Sequence, residues 1–467
     1  MTRQVAIVGG GIAGLSAAYF LEKARSDGAA IEWTLFEKSD RLGGVIRTEL
    51  RDGYVLEAGP DSFLTIKPDG AQLCRDLGIG DQLVASNDAE RKTYIVVRGR
   101  LIAIPDGLMF MVPTRVWPMV TTPLFSFATK LRMAAELFSS PNGDRGDESV
   151  GDFVRRHFGE QMVDRVAEPL LAGVYGGNAD QLSVRAVLPR FVEMERESGS
   201  LARATLQARK RAANQKTPAQ PLFTSLKSGM QQMVDALLSR LPQESLRLRR
   251  QTTALRRVGD GWQVETSEGS RRFHAVLLAV PAKASAAVLQ PLHAELASSL
   301  ARIGYTSSVA AVLAYDRIDL PPGHGFLVPR TEGRKMMACT FVHKKFPYRA
   351  PEGTALLRCF FSSERVPELL TYDDAALEAI ARKELQEILG LNAQPRFARV
   401  FRWETALPQY ETGHLERVAQ MEQWVGEMPG LGIIGNSFRG IGVPDCIRSA
   451  RLAVARITAS ALQPASV

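Results

Sequence analysis

The run Val8-Gly9-Gly10-Gly11-Ile12-Ala13-Gly14 constrains this chain more than any other stretch. Val5, Ala6, Ile7 and Val8 lead into it without a break and read as a short buried strand. An Ala- and Leu-rich helix opens behind it at Ile12. Gly9, Gly11 and Gly14 supply a G-x-G-x-x-G spacing. The first glycine allows a tight turn, the second lets a pyrophosphate approach bare backbone, and the third lets helix and strand pack closely. The phosphates would sit on the unpaired N–H groups at the positive end of the helix, beside Ile12 and Ala13. A second expected strand, residues 31–36, runs into Glu37, 23 residues past Gly14, where a carboxylate should meet ribose hydroxyls. The glycine spacing alone also fits a plain glycine-rich turn. Strand, turn, helix, strand and acid in this order point to a dinucleotide.

At 467 residues the chain outgrows a single core, so two or three domains are expected. With 45% hydrophobic and 23% charged residues it has the composition of a soluble globular protein. A net charge of +8 favours an anionic substrate or an acidic membrane surface. No basic stripe alternates with aromatics, which argues against nucleic acid. Cys74, Cys339, Cys359 and Cys446 lack a C-x-x-C spacing, as expected of a reduced cytoplasmic chain. The six histidines are scattered, and no metal site is expected. The sequence enters its first strand at once, which reads as leaving no room for a cleavable signal. The apolar stretch 116–129 is 14 residues long and broken by Pro118 and Pro123. A spanning helix needs ~18 or more, so no membrane crossing is expected.

Further along, residues 46–57 read as two short strands turning at Asp52-Gly53, and Gly59-Pro60-Asp61-Ser62 as a loop offering backbone donors to the cofactor. Residues 94–97 and 101–104 read as a hairpin. Residues 105–130 crowd Leu108, Phe110, Met111, Val116, Trp117, Val120, Phe125 and Phe127 between prolines. They suit either a helical core segment or a greasy surface on a lipid interface that opens into a channel. Helical spacing over 148–168 is expected to break over the segment Pro169 to Asn178. Residues 198–221 carry Arg203, Arg209, Lys210, Arg211 and Lys216 without an acid, which fits a solvated loop or a phospholipid-facing patch.

From residue 246 the pattern is β, with strands at 246–258, 262–266 and 275–280. A helix at 284–300 follows. Alternating strands at 309–315, 326–329, 335–341 and 354–361 suggest a separate antiparallel sheet flooring a substrate cavity. A buried strand at 432–435 then leads through Gly440 and Gly442 into a helix starting near Pro444. Bare glycines and a helix start there suit either a flat redox ring or a capped helix packed on a sheet.

Behind Glu37 stands Arg41-Leu42-Gly43-Gly44. The pattern Glu37-x3-Arg41-x-Gly43-Gly44 is similar to the doublet-glycine extension of flavin-binding amine-oxidase-like proteins. That resemblance implies FAD, with Lys38, Arg41, Gly43 and Gly44 near its pyrophosphate. Four more pieces narrow it: Glu57-Ala-Gly-Pro-Asp-Ser62, Glu168-Pro-Leu-Leu-Ala-Gly-Val-Tyr-Gly-Gly177, Pro408-Gln-Tyr410 with Gly413-His414, and Gly440-Ile-Gly-Val-Pro-Asp-Cys-Ile447. Over nearly its whole length the chain resembles the flavin-dependent protoporphyrinogen/coproporphyrinogen III oxidase family of the amine-oxidase-like flavoprotein superfamily.

The resemblance implies an α/β and α+β architecture. A discontinuous Rossmann-like FAD-binding domain would span 1–85, 222–283 and 410–467. An antiparallel-sheet substrate domain would span 86–104 and 284–409, and a helical membrane-associating domain 105–221. It implies six-electron oxidation of protoporphyrinogen IX, coproporphyrinogen III or both in haem synthesis, with electrons passing through FAD to O2 and forming H2O2. The protein would be cytoplasmic, peripheral on the inner face of the cell membrane, a monomer or homodimer, with a ferrochelatase as partner. FAD would also contact Gly59, Pro60, Asp61, Ser62, Thr253, Gly435, Gly442, Val443 and Pro444. Gly173, Leu327, Thr340 and Phe360 would line the substrate cavity, and Arg91 or Lys92 would meet propionates. No general base stands out; flavin N5 would carry the chemistry. Where members favouring protoporphyrinogen place an arginine, this chain has Thr93. With Lys344-Lys345-Phe346-Pro347, that looks closer to the Gram-positive type acting on coproporphyrinogen III, and substrate choice stays open. So do an amine oxidase, a carotenoid desaturase and a Rab-escort-like binding protein without redox chemistry.

Overall fold

Val5, Ala6 and Ile7 are fully buried because their strand, Arg3–Val8, is the middle of a five-stranded parallel sheet. The computed structural model describes residues 2–141, 145–214, 220–362 and 364–461. The sheet runs in the order Leu246–Arg247, Ile31–Phe36, Arg3–Val8, Ala275–Leu278 and Leu431–Ile433, so the beginning, middle and end of the chain all contribute. A parallel sheet covered on both faces needs unbroken apolar strands, which is how these segments read. Helices Ile12–Ser26, Gln231–Leu238 and Val443–Ala461 cover one face. The other face packs on the antiparallel strands Thr252–Val258, Gly261–Thr266 and Gly269–Phe273 and on helices Ala282–Leu289, Ala294–Ala301 and His414–Gly426.

The expected strand at 246–258 is therefore two strands in two sheets, turned apart where Arg249 adopts a φ of 56°. The expected helix at 284–300 is likewise two. Pro291 lies between them, and His293 caps the second through Leu296 N–H.

The second large sheet has seven strands, in the order Phe397–Pro408, Tyr305–Tyr315, Ala355–Phe361, Met336–Phe341, Gly325–Leu327, Thr93–Val97 and Arg100–Ala103. The expectation of an antiparallel sheet is corrected here: it is mixed, because Gly325–Leu327 runs parallel to Thr93–Val97. No tight hairpin joins those two strands, so nothing local dictates their direction. Side chains alternate across the sheet. Phe326, Cys339, Phe341, Cys359 and Phe361 pack on helix Asp374–Leu389. The opposite face carries two registered rows, Ile95, Leu327, Ala338, Phe360 and Ala310, then Thr93, Gly325, Thr340, Arg358 and Val312.

Helices Val116–Thr121, Phe127–Glu136, Val150–Phe158, Glu168–Tyr175, Pro189–Ser198 and Leu201–Asn214 form a third layer around Phe125, Met133, Phe153, Phe158 and Met162. The break expected over 169–178 comes at Gly176, and Pro169 itself does not interrupt the helix. It lies in the first turn after a π-helical turn, Val163–Ala167, where a proline costs no hydrogen bond. Gly176 ends that helix in the left-handed region at φ 62°. The basic run is helical rather than a loop over Leu201–Asn214, because Glu136 accepts from Leu201 N–H and caps its start; Lys216 lies outside the described residues. Residues 105–130 are partly core and partly exposed. Met111, Val112, Met119, Leu124 and Phe125 are buried, while Val116 and Trp117 are 75% exposed and Phe127 is 76% exposed. Among the described residues no helix is long and apolar enough to cross a membrane.

A candidate cofactor and substrate cleft

Glycine is required at Gly9 and Gly14 by contact alone. A Cβ on Gly14 would stand 1.9 Å from Gly9 O, and one on Gly9, already at φ 108°, would stand 2.7 Å from Ala279 O. Gly11 differs, because nothing lies within 4 Å of its Cβ position. Gly11 is also the N-cap of helix Ile12–Ser26 and lacks a side-chain cap, so the first-turn N–H groups of Ile12 and Ala13 have no side-chain acceptor. A bare, open backbone at an uncapped helix start suits a pyrophosphate.

Glu37 is turned onto this loop. Its Oε2 accepts from Gly10 N–H at 2.7 Å, and its Oε1 accepts from Ser39 N–H and Oγ–H, both at 2.8 Å. Gly10, absent from the expected site, is thereby part of it. The glycine doublet sits alongside: Gly43 N–H donates to Gly10 O at 2.8 Å, and a Cβ on Gly44 would lie 3.1 Å from Gly11 Cα. Arg41 folds over the doublet and donates to Gly44 O and to Ile46 O, the latter at 2.7 Å. It braces the loop carbonyls. Lys38 is exposed. Thr253 is exposed too, its hydroxyl donating to Glu265 O at 3.4 Å.

The C-terminal end meets the same place. The Cβ position of Gly435 is 3.9 Å from Ala13 Cβ. Val443 and Pro444 are buried at the start of helix Val443–Ala461. Asp445 accepts from Gly442 N–H at 3.2 Å and takes Lys67 at 2.6 Å and Arg448 at 2.9 Å. Gly440 is bare because a Cβ there would stand 2.4 Å from the Asp445 carboxyl carbon.

Two motifs first met as separate pieces of sequence form one brace beneath this turn. Gln409 donates to Tyr175 O at 2.7 Å. Tyr410 hydroxyl donates to Asn436 O at 2.6 Å and accepts from Gly440 N–H at 2.9 Å. His414, stacked on Tyr410 at 4.0 Å, donates through Nε2 to Phe438 O at 2.8 Å. Burial pulls the His414 pKa down to about 4, so the ring is neutral.

On the seven-stranded sheet, Thr93, Leu327, Thr340 and Phe360 share one face. Gly173 lies on helix Glu168–Tyr175, exposed, with nothing within 4 Å of its Cβ position. Arg91 and Lys92 are exposed just before strand Thr93–Val97, and Arg91 lies 3.9 Å from Asp88.

The loop 57–62 joins the two halves. Gly59 rests on Val45, since a Cβ there would stand 1.9 Å from Val45 O. Arg358 donates to Gly59 O at 2.7 Å. Arg349 donates to Asp61 O at 2.9 Å and Ser225 Oγ at 2.6 Å, and pairs with Glu57 at 3.0 Å. Lys345 reaches Asp61 Oδ2 at 3.0 Å and Ser62 Oγ at 3.3 Å. Burial raises the Glu57 pKa against the pull of Arg349. Burial acts the same way on Asp61, but Lys345, Arg349 and Arg358 together hold its carboxyl well below the usual range. No local pattern announces Arg349 or Arg358, which sit in apolar surroundings far along the chain from their partners.

Residues 12–458 match the family described as flavin containing amine oxidoreductase. The chain is similar to coproporphyrinogen III oxidase of Bacillus subtilis, at 34% identity over 460 residues and 97% of each chain. It is 28% identical to the chloroplastic protoporphyrinogen oxidase of Nicotiana tabacum, covering 97% of this chain and 85% of that one. Among solved structures it resembles a candidate protoporphyrinogen oxidase from Exiguobacterium sp. 255-15, with a TM-score of 0.88, 29% identity and coverage of 98% of this chain and 99% of that chain.

Proposed function

As the chain belongs to the flavin containing amine oxidoreductase family, we propose that it oxidises a porphyrinogen to the porphyrin in haem biosynthesis, with coproporphyrinogen III preferred. It is an FAD-dependent oxidoreductase. The observation that carries the substrate class is the 34% identity with coproporphyrinogen III oxidase, which extends over 97% of both chains.

Bound FAD supplies a two-electron acceptor, and the polypeptide supplies binding, orientation and exclusion of water. The open backbone at Gly11 and the uncapped start of helix Ile12–Ser26 hold the pyrophosphate. Glu37 accepts from ribose hydroxyls. The loop 57–62 and the segment Gly435 to Pro444 frame the redox half. A tetrapyrrole lies against Leu327, Thr340 and Phe360 with Gly173 opposite, on a largely apolar surface that needs no general base. Arg91 and Lys92 stand exposed before strand Thr93–Val97 and meet carboxylates of the substrate.

Oxygen serves as final acceptor and leaves as peroxide, and a ferrochelatase takes up the product. Exposed Val116, Trp117, Val120, Phe127 and Phe138 support docking on the surface of a membrane. The three layers support a division into FAD, substrate and helical domains, with the FAD part taken through Ile303 because helices Ala282–Leu289 and Ala294–Ala301 pack on the parallel sheet.

The test is turnover of coproporphyrinogen III and protoporphyrinogen IX by the purified yellow protein, followed by porphyrin fluorescence. Faster turnover of the tetracarboxylate is expected. Peroxide released from an amine, with no fluorescence from either porphyrinogen, would overturn the proposal.

A further inference from the structure

Arg358 is the one buried charged side chain in the two rows on this face of the seven-stranded sheet, Arg399 at the end of the second row being exposed. It leaves those rows to bond the backbone of loop 57–62, donating to Gly59 O at 2.7 Å and Ala58 O at 3.3 Å. Its guanidinium lies 4.7 Å over the ring of Phe360, two residues on. Arg349 and Lys345 reach the same loop from the same region of the chain. Three cations thus meet two carboxylates, Glu57 and Asp61. The site is deeply buried: the Arg349 and Glu57 side chains are 1% and 2% exposed, and Arg358 is 7% exposed.

Such a cluster carries at least one positive charge too many, and an uncompensated buried charge is costly. Arginine does not shed its proton, so the imbalance cannot be relieved that way. Nε of Arg349 and Nε of Arg358 have no partner among the described residues. The loop they hold lies over Val45, and Val45 follows the doublet glycine packed on the open Gly11. In the FAD reading above, the same loop frames the redox half of the cofactor.

We propose that Arg358, backed by Arg349 and Lys345, is a positioning residue that presents this surplus positive charge to the bound flavin and makes the flavin easier to reduce. The inference rests on the FAD reading above. A fixed positive charge gains little from a neutral ring and more from one that has taken up electrons. In a buried site it therefore favours the reduced form.

The midpoint potential of the flavin, measured in the holoprotein by equilibration with a reference dye, tests this. Arg358→Met should lower the reduction equilibrium about tenfold, or about 30 mV for a two-electron couple. Arg358→Lys, which keeps the charge and loses the fork, should keep most of the wild-type potential. If Arg358→Met does not fold, Lys345→Met removes the surplus at the edge of the cluster and should shift the potential the same way. A folded, flavin-loaded variant of either kind with the wild-type potential would overturn the proposal. So would a raised KM for porphyrinogen at unchanged potential, which would assign the charge to a substrate carboxylate. Wild-type protein that purifies without flavin would sink the FAD reading and this inference together, whereas loaded protein indifferent to Arg358 sinks this inference alone.

Discussion

The glycine turn at 9–14 and the loop at 57–62 both pack on the segment Gly43 to Val45 and are held by opposite means. The turn is fixed by close backbone contact within a few residues, Gly14 against Gly9 and Gly10 against Glu37. The loop is fixed by buried ions delivered from residues 345–358, nearly three hundred positions along the chain. Steric fixing tolerates no added atom yet needs no partner. Ionic fixing tolerates changes of shape but fails when one charge is removed. Each region should therefore break in its own way.

The largest effect is expected at Gly14→Val. Its Cβ would meet backbone that cannot yield, so soluble folded protein should be lost. Gly11→Val is the control within the same turn: its Cβ meets nothing, so the protein should fold but lose FAD, with apo stability within about 1 kcal/mol of wild type. Flavin content and urea unfolding read both, and a Gly14→Val protein that folds and binds FAD would undo the steric account.

Next in size is Arg349→Met. It strands Glu57 in a site where both side chains are almost wholly buried, so urea unfolding should show a loss of about 3–5 kcal/mol. A loss below about 1 kcal/mol would mean the ions do not fix the loop.

A second buried ionic centre, in the helical layer, sharpens the contrast through pH. His157 lies between Glu136 and Glu195, at 3.2 Å and 3.4 Å, with Arg156 beside it. Burial opposes protonation, but the hydrogen bonds to Glu136 and Glu195 outweigh it, and the pKa is raised. A raised folded pKa means the stabilisation is complete below the ordinary histidine range and is lost as pH rises through the folded value. Stability should therefore fall on the alkaline side by at most ~1.4 kcal/mol per pH unit, and His157→Gln should flatten that slope. An unchanged slope in the variant would remove His157 from the account.

The smallest effect on stability is expected at Trp117→Ser and Phe127→Ser, whose side chains are about three-quarters exposed. Unfolding should change by no more than about 0.5 kcal/mol, while sedimentation with anionic vesicles should drop. Unchanged vesicle binding would leave that surface without a membrane role.

What could be read in the sequence follows the same division. The strand, turn, helix and acid at residues 3–37 depend on neighbours a few positions apart, so their spacing was informative. Leu327, Thr340 and Phe360 are named by the family resemblance alone, and it is the strand register that puts them on one face. The segment 169–178 holds the helix end, but not at its proline, because a proline marks both a helix break and a helix start and the preceding π turn decides which. The parallel pairing of Gly325–Leu327 with Thr93–Val97 and the anchoring by Arg349 and Arg358 depend on contacts between distant segments, which no local pattern encodes. Gln409, Tyr410 and His414 were visible as family motifs, but their task of bracing the 436–440 turn emerged only from the hydrogen bonds.

The central claim is that porphyrinogen electrons enter a flavin held between the two ends of this chain. Mixing the holoprotein with coproporphyrinogen III in the absence of oxygen tests it directly. The account predicts loss of the yellow flavin absorption together with a rise in porphyrin fluorescence, at a rate that supports turnover. Flavin that stays oxidised while porphyrinogen is present, or porphyrin that forms without flavin reduction, would contradict it.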